Sequence, residues 1–276
     1  MSEPNFGVDV AYNIPDELWH EIEPSLPALP PKKKAGRPRM NDRQAMTAIF
    51  YLLRTGCQWK ALPRSLGASS TVHDRFEWWC ERGVFRKLWQ LGLAEYDVMK
   101  GIDWEWLSMD GAVTKAPLGG GKSGRNPTDR SKRGTKRSLL VDGNGIPLAV
   151  AVDGANRHDV TLVQATLEEM MVHRPAPADN EPQNVCLDKG YDSVKVEALL
   201  LEWGYTAHIR ARGEEKEAKQ SIPGYRARRW VVERTHSWMN RFRRLLIRWE
   251  KRVDNYLALL HLACAFITFR AAGLFG

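Results

Sequence analysis

Ser138-Leu139-Leu140-Val141-Asp142-Gly143-Asn144-Gly145-Ile146-Pro147-Leu148-Ala149-Val150-Ala151-Val152 reads as two apolar runs separated by a turn. Asp-Gly and Asn-Gly dipeptides tolerate the positive φ that tight hairpin turns require. Ser138 to Val141 and Leu148 to Val152 are therefore predicted to pair as antiparallel strands. Upstream, Trp106-Leu107-Ser108-Met109 is a further short run that ends on Asp110. Downstream, Asn184 to Leu187 ends on Asp188, and Thr206 to Arg210 reads as another short strand. Helical periodicity covers Val160 to Val172, Val194 to Trp203 and Arg226 to Trp249. Strands first, then strand alternating with helix, describes a mixed α/β domain.

The chain before this domain, residues 12 to about 98, reads as helical. Pro24, Pro27, Pro30 and Pro31 break its first stretch, and the basic segment Lys32-Lys33-Lys34-Ala35-Gly36-Arg37-Pro38-Arg39 follows as a linker or arm. Asp42 is placed to cap a helix carrying Ala45, Ile49, Leu52 and Leu53 and closing at Gly56. A short helix from Trp59 to Leu66 is ended by Gly67. Ser69 or Ser70 caps a third helix that runs to about Arg82 and stops at Gly83. The outline fits a helix-turn-helix or a plain small bundle. In the first reading Thr71, His73, Asp74 and Arg75 lie near the start of a recognition helix. The expected division is a helical DNA-binding domain over 1–100, with a basic arm at 32–39, and a catalytic domain over 101–276.

Bulk properties set limits on function. Hydrophobic residues make up 43% and charged residues 27% of the 276 residues, the mix of a globular protein. Lys and Arg number 41 against 33 Asp and Glu, a net charge of +8, which suits a polyanionic partner. Placement says more than the total. The loop Lys115 to Arg137 holds eight Lys or Arg against the single acid Asp129, and residues 206 to 252 hold 14 against five. With the arm, the excess falls in three places, as phosphate-backbone contacts would have it, although one such run is usually just a solvated face. Cys57, Cys80, Cys186 and Cys264 form no CxxC pair, so reduced thiols of a cytoplasmic, nucleoid-associated protein are expected. The N-terminus has no signal-peptide pattern. The longest apolar stretch, Tyr256 to Phe269, falls short of the roughly 20 residues of a membrane span. A buried helix started by Asp254 and ended by Gly273 is predicted there, with no membrane partner.

Asp110 and Asp188 share a context, since each closes a short apolar run. Functional groups gather at the carboxyl ends of strands, and neighbouring strands would aim both carboxylates into one cleft. Two such groups repel unless positive charge lies between them, and divalent cations with oxygen ligands are the natural remedy. Singly, each aspartate could as well be a turn or cap residue. On the helix predicted for Arg226 to Trp249, Val231, Trp238, Phe242, Leu245 and Trp249 form an apolar stripe. Glu233 lies nearly opposite that stripe, either reaching the cleft or paired with Arg229 one turn away.

The runs Asp110-Gly111-Ala112, Val152-Asp153-Gly154-Ala155-Asn156-Arg157-His158-Asp159, Leu187-Asp188-Lys189-Gly190-Tyr191-Asp192 and Trp230-Val231-Val232-Glu233-Arg234 resemble the DDE transposases of bacterial insertion sequences. They look most like the large family conventionally numbered five, and the likeness runs from about residue 12 to residue 272. The resemblance implies an RNase H-like mixed sheet with flanking helices, preceded by a small all-α helix-turn-helix-like domain. It implies that Asp110, Asp188 and Glu233 bind two divalent cations, Mg²⁺ or Mn²⁺. It also implies double-stranded DNA partners, the inverted repeats of the element and the target, engaged by a homodimer or higher oligomer. Candidate DNA contacts are Arg37, Arg39, His73, Arg75, Lys122, Arg125, Lys132, Arg133, Lys136, Arg229, Arg234 and Arg241. Arg37 and Arg39 resemble a minor-groove hook as much as a linker. His158 either caps a helix, the favoured reading, or lines the site. One departure stands out: where the wider group has Tyr and Lys flanking its Arg and Glu, this chain has Arg226 and Asn240. The rival readings are a DNA-binding regulator with an inactive nuclease-like domain and a structure-specific nuclease that cuts without joining.

Overall fold

The computed structural model describes residues 6–31, 38–178, 181–209, 221, 228 and 230–275. Its centre is a mixed sheet built from β1 (Trp106–Lys115), a short β2 (Gly124–Arg125), β3 (Arg133–Val141), β4 (Pro147–Gly154), β5 (Asn184–Leu187) and β6 (Thr206–Ile209). β3 pairs antiparallel with both β1 and β4, while β5 runs parallel to β1 and β6 parallel to β5. The order β4-β3-β1-β5-β6, three antiparallel strands and then two parallel to the first, is the expected RNase H-like sheet.

The hairpin forms as predicted, and Asp142 is the reason its turn is stable. Its buried carboxylate accepts from the Asn144 N–H at 2.9 Å and the Ile146 N–H at 2.7 Å. The strands run further than the apolar runs suggested. β1 continues five residues past Asp110, and β3 begins at Arg133. The predicted loop over 115–137 is correspondingly shorter and is pinned down. Arg248, fully buried, donates to Gly121 O at 2.8 Å, Lys122 O at 3.1 Å and Thr135 Oγ1 at 2.7 Å. Gly120, at φ +103, lets the loop backbone press against the Lys251 carbonyl where a Cβ would overlap it.

Helices cover both faces: α1 (Asp16–Ile22), α2 (Asp42–Thr55), α3 (Ser69–Glu81), α4 (Val84–Lys100), α5 (Val163–Glu168), α6 (Val194–Glu202), α7 (Trp230–Asn240) and α8 (Val253–Ala272). Several caps differ from expectation. Asn41, not Asp42, caps α2, accepting from Arg43 N and Gln44 N, and Gly56 closes it at φ 71. Ala68, which has no side-chain cap, precedes α3. Trp59–Ala61 and Arg64–Leu66 are single 3₁₀ turns, because Pro63 between them cannot continue a helix. The helix predicted to Trp249 stops at Asn240, so Phe242, Leu245 and Trp249 leave the stripe. Ile247 instead bridges Lys115, and the Arg248 N–H bonds the Lys115 carbonyl at 2.8 Å, which continues the sheet edge. α8 runs 20 residues, enough by length and composition to cross a membrane, yet it is a core helix with fourteen of its residues buried. Arg252 precedes it without a side-chain cap, leaving Asp254 in the first turn, and Gly273 ends it at φ 86.

α4 lies along α8, and the Trp89 indole donates to the Pro147 carbonyl of β4 at 3.1 Å. One buried core joins residues from Ile14 in the first helices to Ala272 in the last.

Candidate active site

The β1–β5 register brings the two aspartates together. Trp106 pairs with Asn184 and Ser108 with Cys186. Two residues further in both strands lie Asp110 and Asp188. Successive side chains alternate, so Asp110 shares the face of Ser108. The pairing ends at Ser108 and Cys186, and Asp188 lies just past it, near enough for its charge to raise the Asp110 carboxyl. Asp188 follows the end of β5, as predicted. Asp110 lies in mid-strand rather than at a strand end, because β1 continues beside β3 after β5 has stopped.

α7 packs over the same face. The Ser108 hydroxyl donates to Arg228 O at 3.1 Å, and His236 Nε2 stands 3.9 Å from Asp110 Oδ2. Glu233, one turn earlier on α7, is exposed at the rim. Asp110 feels all of this. Burial pushes its carboxyl up to about 6, and the negative charges of Asp188, Asp159 and Glu233 add to the rise. His236 does not neutralise it, since burial, and then the charge of Arg137, drives that imidazole down to about 3.

Asp159 is the residue that sequence reasoning missed. It reaches the opposite side of β1 at Gly111, where a Cβ would overlap its Oδ1. Its other oxygen accepts from Lys136 Nζ at 2.8 Å, and the same ammonium donates to Arg157 O at 2.9 Å. The signals were present: Gly111 directly after Asp110, and a carboxylate closing Asn156-Arg157-His158-Asp159. His158 itself occupies a cap position, but its exposed side chain makes no cap hydrogen bond. Tyr191, buried below, carries a phenol raised well above its usual range by burial and then by Asp159, Asp110 and Asp188.

Lys136 answers the charge of Asp159, while Asp110, Asp188 and Glu233 are hard oxygen donors of the kind a divalent metal ion takes. Among the described residues, however, no three His, Cys, Asp or Glu side chains stand close enough to hold one ion. Asp188 Oδ1 accepts from the Gly190 N–H at 2.8 Å, and Glu233 opens to solvent.

The predicted DNA contacts divide. Lys122, Arg125, Lys132 and Arg133 are exposed around the pinned loop, and Arg39 and Arg241 are exposed elsewhere. Arg234 is fixed between the Trp230 and Trp238 rings, 4.6 and 4.8 Å away, and donates to Asn144 O at 2.6 Å. His73 lies edge-on to Trp59, with its Nδ1 3.8 Å from Glu77. Two expectations need correction. Arg75 turns inward, 8% exposed, and pairs with Asp42, because its position on α3 faces α2 rather than solvent. Lys136 faces Asp159 from within β3 and is not a loop residue. Arg37 and Arg229 lie outside the described residues.

Known proteins complete the picture. The family described as "Transposase DDE domain" matches residues 105–267, which holds the whole sheet with Asp110, Asp159, Asp188 and Glu233. The chain belongs to that transposase family. It is a metal-dependent DNA transposase of the kind found in insertion sequences. A second family, "Putative transposase of IS4/5 family (DUF4096)", matches residues 14–89 of this transposase. The "Putative transposase for insertion sequence element IS402" of Burkholderia cepacia is 39% identical over 148 residues, 53% of this chain and 68% of that protein. The "Insertion element IS402 uncharacterized 16.2 kDa protein" of the same organism is 36% identical over 118 residues, 41% of this chain and 80% of its own length. Among solved structures, the Mos1 mariner paired end complex with Mn covers 88% of this chain and 82% of its own at 14% identity, with a TM-score of only 0.30.

Proposed function

We propose that this transposase binds the terminal inverted repeats of an insertion sequence, hydrolyses phosphodiester bonds at the element ends and joins the freed 3′ ends to target DNA. Asp110, Asp188 and Glu233 are the catalytic carboxylates and the ligands of two divalent cations, Mg²⁺ or Mn²⁺. The observation that supports this reading is the β1–β5 pairing, whose last rung lies two residues before both Asp110 and Asp188, on the side of β1 that faces the helix bearing Glu233. When bound, the cations supply Lewis-acid activation of the attacking oxygen and stabilisation of the leaving one. In the first step a water oxygen bonds to phosphorus as the P–O3′ bond breaks, freeing the element's 3′-hydroxyl. That hydroxyl then attacks a target phosphodiester, and a target 3′-hydroxyl leaves.

The chain's own part is placement and charge. Arg234, clamped between two indoles beside Glu233, is positioned to hold a phosphate near the break. Lys122, Arg125, Lys132 and Arg133 track the backbone further out, and Arg241 lies just past the end of the helix that bears Glu233. Residues 1–100 read the element end through α3 and the arm, and residues 101–276 carry the chemistry. Pairing two ends needs two sites, so a dimer or higher oligomer forms on DNA.

Strand cleavage and joining on duplexes bearing the ends of the encoding element, with Mg²⁺ or Mn²⁺, tests this. Wild type is expected to cut and join, and Asp188→Ala to do neither while still binding. Binding without cleavage by either protein would instead favour a regulator.

A further inference from the structure

The far end of α7 holds a cavity that the carboxylate chemistry does not use. It measures about 290 Å³ and takes Arg54 from α2, Trp238 from α7, Arg241 and Phe242 from the segment just past its end, and Phe266 and Arg270 from α8. A second cavity of about 420 Å³ shares Arg54 and Arg241 and adds Arg243. The floor is aromatic and already ordered. Phe266 stacks on Phe50 at 4.5 Å and meets Phe242 edge-on at 6.0 Å, and Arg54 sits 5.5 Å over the Phe242 ring. The rim is cationic and unanswered. Arg241, Arg243 and Arg270 are exposed, and among the described residues no carboxylate pairs with these three or with Arg54.

Guanidinium groups without partners, gathered over phenyl rings, recognise a ligand that is anionic at one end and a flat π-face at the other. An intact duplex offers only phosphates to such a concavity, because its bases are stacked inside. We propose that this cavity binds an unpaired nucleotide of a DNA strand, with its phosphates on Arg54, Arg241 and Arg270 and its base against the phenyl floor. The inference rests on the transposase reading and deepens it. Glu233 on α7 and Arg241 just past its end are eight residues apart in sequence, about 12 Å at the helical rise, a span of only a few nucleotides. The cavity would therefore hold a strand that has opened a few nucleotides from the break.

The experiment is fluorescence anisotropy in EDTA, so that strand cleavage plays no part, with a labelled short oligothymidylate and a duplex of equal length. Arg270→Glu and Phe266→Leu are compared with wild type after thermal melts establish that each folds. Both changes are expected to weaken single-strand binding by about tenfold or more while duplex binding shifts by far less, since stacking and phosphate contact at one nucleotide carry that much. Equal losses for both probes would overturn the proposal in favour of a general backbone contact, and unchanged single-strand binding would overturn it outright. Competition by thymidine monophosphate as strong as that of the oligomer would also overturn it, marking a site for free nucleotides. Because no chemistry is read, failure here leaves the cleavage reading untouched. Loss of cleavage in the Asp188→Ala test likewise says nothing about this cavity.

Discussion

Replacing Asp110 by Asn should stabilise the protein in the absence of divalent cations, although it removes a residue proposed to be essential. The Asp110 carboxyl is raised from its ordinary 3.8 to about 6, first by burial and then by the charges of Asp188, Asp159 and Glu233. A group whose folded pKa is raised contributes stability that is fully present below the unfolded value, near 3.8. That contribution fades as pH rises through the folded value, near 6. Above it, the folded protein holds a carboxylate that water would solvate better. The shift corresponds to roughly 3 kcal/mol, and partial solvent access at the cleft trims this to about 2 kcal/mol. In a domain of this size that is about 4–8 °C in melting temperature. The assay is thermal unfolding in EDTA from pH 4 to 8 for wild type and Asp110→Asn. The variant should gain on wild type as pH rises through about 6 and lead by several degrees at pH 8. Saturating Mg²⁺ or Mn²⁺ should shrink or reverse the gap, because ligand that binds only the folded wild type restores what repulsion removes. A variant less stable than wild type at pH 8 in EDTA would refute the account of an uncompensated carboxylate cluster, as would a difference that does not vary with pH.

Other changes probe the supports of the site. Gly111→Ala places a methyl group where Asp159 Oδ1 now lies. The carboxylate must retreat by about an ångström and strain its bond to Lys136, so cleavage should fall by about 10²-fold with a modest loss of stability; unimpaired strand cleavage would remove Asp159 from the site. Arg248→Ala leaves the Gly121 and Glu250 carbonyls without the donor they have now, and the Lys122 carbonyl with Thr135 Oγ1 alone. About 3–5 kcal/mol of stability should go with it in urea titrations, and the basic loop should exchange its amide hydrogens faster. A fragment of residues 1–100 would bare the face of α4 that packs on α8, and by circular dichroism it should show no cooperative melt; a sharp transition would make those helices an independent folding unit.

Reading the chain alone located the hairpin, β5 and the helical N-terminal part, because each is a local signal. Apolar runs bounded by Asp-Gly and Asn-Gly, and Asp188 closing a short run, need no knowledge of neighbours. What stayed hidden depends on partners distant in sequence. The second half of β1, Gly111 to Lys115, carries polar and small residues and is a strand only because β3 lies beside it. Arg248 looked like one more cation of a basic stretch, and only the fold shows it buried against a loop 126 residues earlier. Arg75 misled in the opposite direction, since its spacing from the helix start cannot reveal which face meets α2. The break at Asn240 was masked by apolar residues that kept helical spacing. Those residues instead serve an extended strap, which Arg137 helps to fix by donating to Asn240 Oδ1 at 2.7 Å.

That strap explains why the helical region and the sheet act as one body. Arg244 pairs with buried Glu250 at 2.7 Å and donates to the Cys57 carbonyl at 2.9 Å, just past the end of α2. Four residues later, Arg248 grips the loop that carries Lys122 and Arg125. On the other side, Trp89 and Tyr96 of α4 bond Pro147 and Asp142 at the β3–β4 hairpin. A hinge between residues 100 and 106 would have to break both sets of contacts and open a continuous core. The boundary proposed near residue 100 is therefore not a break in the folded core. If the N-terminal helices read an element end as proposed, the shared core holds them at a fixed distance from Asp110 and Asp188. Binding energy spent on the end sequence would then go directly into aligning the scissile bond, with little interdomain freedom left to order when DNA arrives.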